Sequence, residues 1–132
     1  VTEFSDAGWQ DMHPAMWMAR EVARALHVEM TNKDLVITSG RRPKTPGGSS
    51  KHETGEAMDI RVWYLDSAQN QHNYADELRT RLGEDFDVIV EGPASRDPRY
   101  ADRVPHIHVE YDPKGRHAPE PDKPRRRWRG TP

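Results

Sequence analysis

Apolar residues recur at threes and fours after Pro14: Met16, Ala19, Ala23 and Leu26, with Trp17, Met18, Val22 and Ala25 widening the stripe. That is the spacing of one helix face, and a proline suits the first turn. The pattern predicts a helix from Pro14 to near Met30, before Thr31 and Asn32. Leu35 to Thr38 is a short β-branched run that stops at Ser39-Gly40, which reads as a buried strand. Residues 41–51, with two prolines and two glycines, read as a long loop. From Ala57 to Tyr64, Met58, Ile60 and Val62 alternate with Asp59 and Arg61, the period of a second strand. Asp66 to Gln71 reads as a polar turn. Tyr74, Leu78 and Leu82, four apart, mark a second helix that ends at Gly83. Asp87 to Glu91 predicts a third strand, 92–105 a polar loop, and His106 to Tyr111 an alternating fourth strand. The order fits an α+β domain with helices on one face of a small, mostly antiparallel sheet.

Composition narrows this picture. With 132 residues, one domain is expected; with only 33% of residues hydrophobic, its core must be small or part of the chain must lie outside it. Charge points to the second option. Residues 112–132 hold seven Lys/Arg against three Asp/Glu and five of the 11 prolines, while the rest of the chain is acidic. The expected division is a domain over 1–111 and a basic, Pro/Arg-rich tail over 112–132. No apolar run approaches the ~18 residues of a membrane span. Without cysteine, any metal must sit on His, Asp or Glu.

The residues with that chemistry cluster. In Ser50-Lys51-His52-Glu53-Thr54-Gly55-Glu56-Ala57-Met58-Asp59, His52 leaves the loop and Asp59 enters a strand, with Gly55 free to turn the chain between them. In His106-Ile107-His108-Val109-Glu110, strand alternation places His106, His108 and Glu110 on one face and turns Ile107 and Val109 to the core. A His, an Asp and a second His leave one position open on a tetrahedral Zn²⁺, the arrangement of a catalytic site. Which of His106 and His108 completes the set is left open by alternation, because both point the same way. Glu110 on that face either orients a liganding histidine or is solvated.

Ser50, His52, Gly55, Ala57 and Asp59, followed later by His-x-His, form a pattern that resembles the zinc D-Ala-D-Ala peptidases. This superfamily includes the vancomycin-resistance D-Ala-D-Ala dipeptidase, phage L-Ala-D-Glu endolysins and the hedgehog signalling domain. Ser39-Gly40-Arg41-Arg42 matches its Ser-Gly-x-Arg segment, and the likeness runs from about Leu35 to Asp112. It implies a hedgehog-like fold and Zn²⁺ on His52, Asp59 and His108, with His106 near the open position. Glu91 is implied as general base, with Asp102 as the fallback, since 14 residues separate Glu91 from His106. Arg42 would hold a substrate carboxylate and Ser50 would orient the substrate or the site.

The activity implied is hydrolysis of an amide bond in the peptidoglycan stem peptide, by a D-Ala-D-Ala carboxypeptidase or an L-Ala-D-Glu-type endopeptidase of phage or prophage origin. Such a protein would be held in the virion or the host cytoplasm before it reaches the cell wall. The alternative is a non-catalytic zinc-binding virion protein that keeps the fold, its tail contacting other virion proteins. Nucleic-acid binding through Arg125-Arg126-Arg127-Trp128-Arg129 is a weaker option, opposed by the acidic body. Elsewhere the plainer readings hold. Trp9, Trp17 and Trp63 are expected in the core, His13, His27, His72 and His117 on the surface, and Met12, Met16, Met18 and Met30 in or beside a helix core.

Overall fold

In a computed structural model of the chain, residue 9 and residues 11–114 are described. The element order is α1 (Pro14–Thr31), β1 (Ile37–Ser39), β2 (Ala57–Ile60), α2 (Ala68–Leu82), β3 (Phe86–Glu91) and β4 (His106–Tyr111). Two short 3₁₀ turns lie in the long loops, at Lys51–Thr54 and Pro98–Tyr100. The strands form one sheet in the order β1-β2-β4-β3, with every neighbouring pair antiparallel. This is an α+β architecture.

Each strand spends one face on the core. Met58 and Ile60, Phe86, Val88 and Val90, and Ile107 and Val109 are buried against Met16, Ala19, Ala23 and Leu26 of α1 and Tyr74, Ala75 and Leu78 of α2. Burying such side chains contributes roughly 1.5–3 kcal/mol each. The intervening residues, Asp59, Asp87, Ile89, Glu91, His106, His108 and Glu110, necessarily face the other way. The helices are joined to each other by Tyr74, whose hydroxyl donates to the Ala23 carbonyl at 2.7 Å, and by Arg81, which bonds both oxygens of Glu29 at 2.8 Å. Arg79 fastens α2 to β3 through the Val88 carbonyl.

Local chemistry sets the helix ends. His13 Nδ1 accepts from the Ala15 amide at 3.0 Å and Pro14 opens α1, while Asn32 closes it in the left-handed conformation. Ser67 caps α2, and Gly83, with φ of 85°, ends it.

Several expectations are corrected. The second strand stops at Ile60 rather than Tyr64. The Arg61 amide still bonds the Val36 carbonyl, but the chain then turns through Val62 and Leu65, which reach the core from that turn. The polar turn is shorter than expected, because Ser67 caps a helix that begins at Ala68. Of the tryptophans expected in the core, Trp9 is buried but Trp17 and Trp63 are 41% and 69% exposed; a guanidinium covers each, Arg20 and Arg61 respectively. His27 and His72 are buried rather than on the surface. Their ring nitrogens donate to the carbonyls of Lys33 and Ala94, at 2.7 Å each. Both sit in helices whose apolar stripe reads past them, so periodicity hid a satisfied buried polar group.

The start of the basic tail is fixed to the domain. The Asp112 and Lys114 amides bond Asp85, and Lys114 Nζ reaches Asp87 and Asp112. The rest of the tail, His117 and Trp128 with its arginines included, lies outside the described residues. No helix among those described is long and apolar enough to cross a membrane.

Gly55 has φ of 74°, and a Cβ there would meet the Asp11 carbonyl oxygen at 2.6 Å, whereas Gly47, at φ of 75°, has open space around it. Gly55→Ala is expected to cost about 2–4 kcal/mol, strain plus steric clash, and Gly47→Ala about 1 kcal/mol, strain alone. Urea unfolding of the two variants checks the difference; equal losses would contradict it.

Candidate metal centre and active site

The stretch from Ser50 to Gly55 is one 3₁₀ turn with a cap at each end. Ser50 Oγ accepts from the His52 amide at 3.2 Å, and Gly55 closes the turn through the His52 and Lys51 carbonyls. This rigid turn aims His52, and the Arg42 amide, bonded to the His52 carbonyl at 2.9 Å, holds the preceding loop against it. Sheet register does the rest. Ser39 pairs with Asp59, Asp59 with His108 and His108 with Ile89, one row across four strands. Two residues along, on the same face, Glu91 pairs with His106.

The seven residues proposed from sequence, Arg42, Ser50, His52, Asp59, Glu91, His106 and His108, all line one cavity of about 450 Å³. His52, Asp59 and Glu91 are buried. Asp102, the fallback base, is exposed and is not part of the lining. The cavity also draws on Ile89, Glu110, Tyr100 and Arg103. Sequence reasoning assigned no role to Tyr100 or Arg103, which belong to the loop over 92–105. That loop does not swing away from the site. The Gly92 amide bonds the Tyr100 carbonyl at 2.9 Å, and Gly92, at φ of 100°, packs so tightly on Pro105 that a Cβ would come 2.7 Å from its Cα. The tyrosine and the arginine are thereby folded back over the end of β3.

Three imidazoles converge on one carboxylate oxygen. From Asp59 Oδ1, His108 Nδ1 is 3.0 Å away, His52 Nε2 3.3 Å and His106 Nε2 3.5 Å. The far side of each ring fixes its tautomer. His52 Nδ1 donates to the Gly40 carbonyl at 2.8 Å, His106 Nδ1 to the Val104 carbonyl at 2.7 Å, and His108 Nε2 to Glu110 at 2.9 Å. A carbonyl or carboxylate oxygen only accepts, so each neutral ring turns a bare lone pair toward Asp59. Lone pairs facing a carboxylate at these distances repel unless a cation or a proton lies between them. Asp59 Oδ2 is occupied separately by Arg42 Nη2 at 3.0 Å, and Arg42 Nε is steadied by Ser39 Oγ at 2.9 Å.

The titration behaviour expresses the same constraint. Burial alone would lower the pKa of His108, but hydrogen bonds to Asp59 and Glu110 and their negative charge outweigh it and push it up to about 9. Burial would raise the Asp59 carboxyl, yet the bonds from His108 and His52 hold it well below the usual carboxylate range. For Glu91, burial is outweighed by hydrogen bonds from His106 and Arg103, which lower its pKa; His106 is raised in return, against its own burial.

His52, Asp59 and His108 form a group able to hold a metal ion, with ligand atoms within 4.8 Å of one another. Two further groups of that size exist among the described residues, Glu91-His106-His108 and Asp87-Glu110-Asp112. In each a carboxylate already carries a cation, as Asp59 Oδ2 carries Arg42: Arg103 Nη1 bonds Glu91 at 3.0 Å, and Lys114 Nζ lies 3.1 Å from both Asp87 and Asp112. The first group combines two imidazole nitrogens with one carboxylate oxygen, and the outer hydrogen bonds of its histidines are those that metal-binding imidazoles use to fix ring orientation. Compared with family models, curated proteins and solved structures, the chain matches none.

In the metal-free protein, His108 is expected to titrate at about 9 when folded and near ~6.5 when unfolded. Its stabilisation is therefore complete below about 6.5 and lost as pH rises through 9, a change on the order of 3 kcal/mol. Urea unfolding across that window checks this. A divalent ion must displace the same proton. Calorimetric titration with zinc at pH 7, repeated in buffers of different ionisation enthalpy, is expected to show release of about one proton.

Proposed function

We propose that the chain is a zinc peptidase of the D-Ala-D-Ala peptidase and hedgehog superfamily, acting on an amide bond of the peptidoglycan stem peptide. The observation that carries the metal reading is the convergence of the His52, Asp59 and His108 ligand atoms, with lone pairs aimed inward, beside a second carboxylate. The Ser50-to-Asp59 motif and the later His-x-His carry the substrate class. The donor set suits Zn²⁺: imidazole nitrogens and one carboxylate, three protein ligands, with room for a fourth. When bound, such an ion supplies Lewis acidity toward a carbonyl and activates water at neutral pH.

The chain's own groups supply the remaining chemistry. Glu91 Oε1 is 3.2 Å from His106 Nε2, and both face the cavity beside the ligand set. A carboxylate at that place accepts the proton of the attacking water and returns it to the departing amine. His106, its Nδ1 fixed on Val104, acts in its protonated form, in which Nε2 also carries a hydrogen to donate, and so stabilises the negative charge that develops on the carbonyl oxygen. Arg42 keeps Asp59 Oδ2 engaged, so that Oδ1 would be the oxygen left to hold a metal. Its side chain is half exposed, which leaves guanidinium edge for a substrate carboxylate. Ser50 caps the turn that carries His52 and reaches the cavity wall.

The test pairs metal analysis with peptide release. Purified protein is expected to hold one zinc per chain and to release peptides from isolated cell walls. Glu91→Gln should keep the zinc and lose about 10²–10⁴ in rate, and Asp59→Ala should lose both. Zinc retained with no peptide release from the wild type would reject the peptidase and leave a zinc-binding structural protein. A protein that takes up no zinc would reject the ligand set.

A further inference from the structure

The loop over 92–105 brings a second arginine to the cavity, and the reaction outlined above gives it no task. Arg103 Nη1 bonds Glu91 Oε1 at 3.0 Å, and its guanidinium lies 4.9 Å from the centre of the Tyr100 ring. The side chain is nonetheless 54% exposed. No side-chain or carbonyl acceptor among the described residues takes its Nε or Nη2, so one edge of the fork remains open to the cavity it lines.

Its place in the sheet matters. Arg42 follows β1, at one edge, and Arg103 stands over the end of β3, at the other. Arg42 Nη2 lies 3.0 Å from Asp59 Oδ2 and Arg103 Nη1 lies 3.0 Å from Glu91 Oε1, so the two guanidiniums flank these carboxylates from opposite edges of the sheet. That placement suits two carboxylates of one extended peptide. Charge agrees. Arg42 and Arg103 face Asp59, Glu91 and Glu110 in the lining, so with neutral imidazoles the side chains sum to one negative charge and a bound divalent ion would make the sum positive.

We propose that Arg103 is a specificity-determining residue that holds a second substrate carboxylate, so that the cavity selects a peptide acidic on both sides of the metal. This rests on the peptidase reading for the kind of substrate. In a stem peptide the group offered is the free α-carboxylate of its γ-linked D-glutamate. Tyr100 stacking and the Glu91 bond hold the fork in place before the substrate arrives, which limits the ordering cost of binding. A planar fork matches a carboxylate bidentately, where lysine offers a point charge.

The experiment uses the zinc-loaded chain and two synthetic peptides, L-Ala-γ-D-Glu-L-Lys-D-Ala-D-Ala with the D-Glu α-carboxyl either free or amidated. Affinity is measured by calorimetry and cleavage by chromatography, for the wild type, Arg103→Gln and Arg103→Lys. The wild type is expected to bind the free acid at least about tenfold more tightly, as one charge-assisted contact implies. Arg103→Gln should lose that preference and Arg103→Lys should keep part of it. A preference that appears in binding and disappears in Arg103→Gln supports the assignment even if neither peptide is cut, in which case it is the peptidase reading that fails. Equal binding of the two peptides by the wild type, an undiminished preference in Arg103→Gln, or no binding of either would overturn it. So would a slower cleavage of both peptides by Arg103→Gln in equal proportion, since that marks an arginine that merely positions Glu91.

Discussion

The site depends on one electrostatic conflict. Three imidazoles, each anchored from behind by an oxygen that can only accept, direct their remaining nitrogens at Asp59 Oδ1. In a buried setting a lone pair opposed to a carboxylate is costly. The arrangement is relieved only by positive charge at the point of convergence, supplied by protons or by a metal. The raised His108 and the lowered Asp59 are the protonic form of that relief. A cation that takes the place of the protons meets ligands already oriented, with little ordering left to do.

What holds the conflict in place is the sheet. Asp59 and His108 are direct cross-strand partners, and so are Glu91 and His106. Their spacing is set by the backbone ladder rather than by loop conformation. His52, the one proposed ligand off the sheet, is placed by a capped 3₁₀ turn that leads through Gly55 and Glu56 into the same strand as Asp59. Sites supported by rigid elements hold their geometry more narrowly than sites on loops. Here the loop over 92–105 contributes two cavity-lining groups, Tyr100 and Arg103, and none of the proposed ligands.

Much of this was legible along the chain. Period-two alternation in His106–Tyr111 put the two histidines and Glu110 on one face and the core on the other, because a strand's side-chain period is fixed, and Asp87–Glu91 read as a strand ending at Glu91. Gly55 between His52 and Asp59 signalled a turn, and the structure requires one there. Failures came where tertiary partners overrode local pattern. Val62 looked like the next strand residue but enters the core from a turn. Trp63 looked like core and is exposed beneath Arg61. His27 and His72 were buried by carbonyls distant in sequence or outside their helices, which periodicity does not register. Arg103 was missed because nothing local distinguishes it from the other charges of its loop. Its position is set by the closure of Gly92 on Tyr100 and Pro105, a contact between residues 8 and 13 positions apart.

Core and site are thus two faces of the same strands, and this couples stability to chemistry. A one-residue slip of β4 against β2 would carry Ile107 and Val109 to the cavity and His106, His108 and Glu110 into the apolar layer. The burial of Ile107, Val109, Met58 and Ile60 therefore fixes the register of Asp59 against His108. A small domain with a third of its residues hydrophobic has little apolar surface to spare. It uses that surface where it also aligns Asp59 with His108 and Glu91 with His106. The same pairing makes the buried charge tolerable. Each acidic group in the lining meets a basic partner: Asp59 with Arg42 and the imidazoles, Glu91 with His106 and Arg103, and Glu110 with His108 of its own strand. Removing one partner leaves a buried charge uncompensated, which costs far more than the pair contributes. The polar face is consequently as tightly specified as the apolar one.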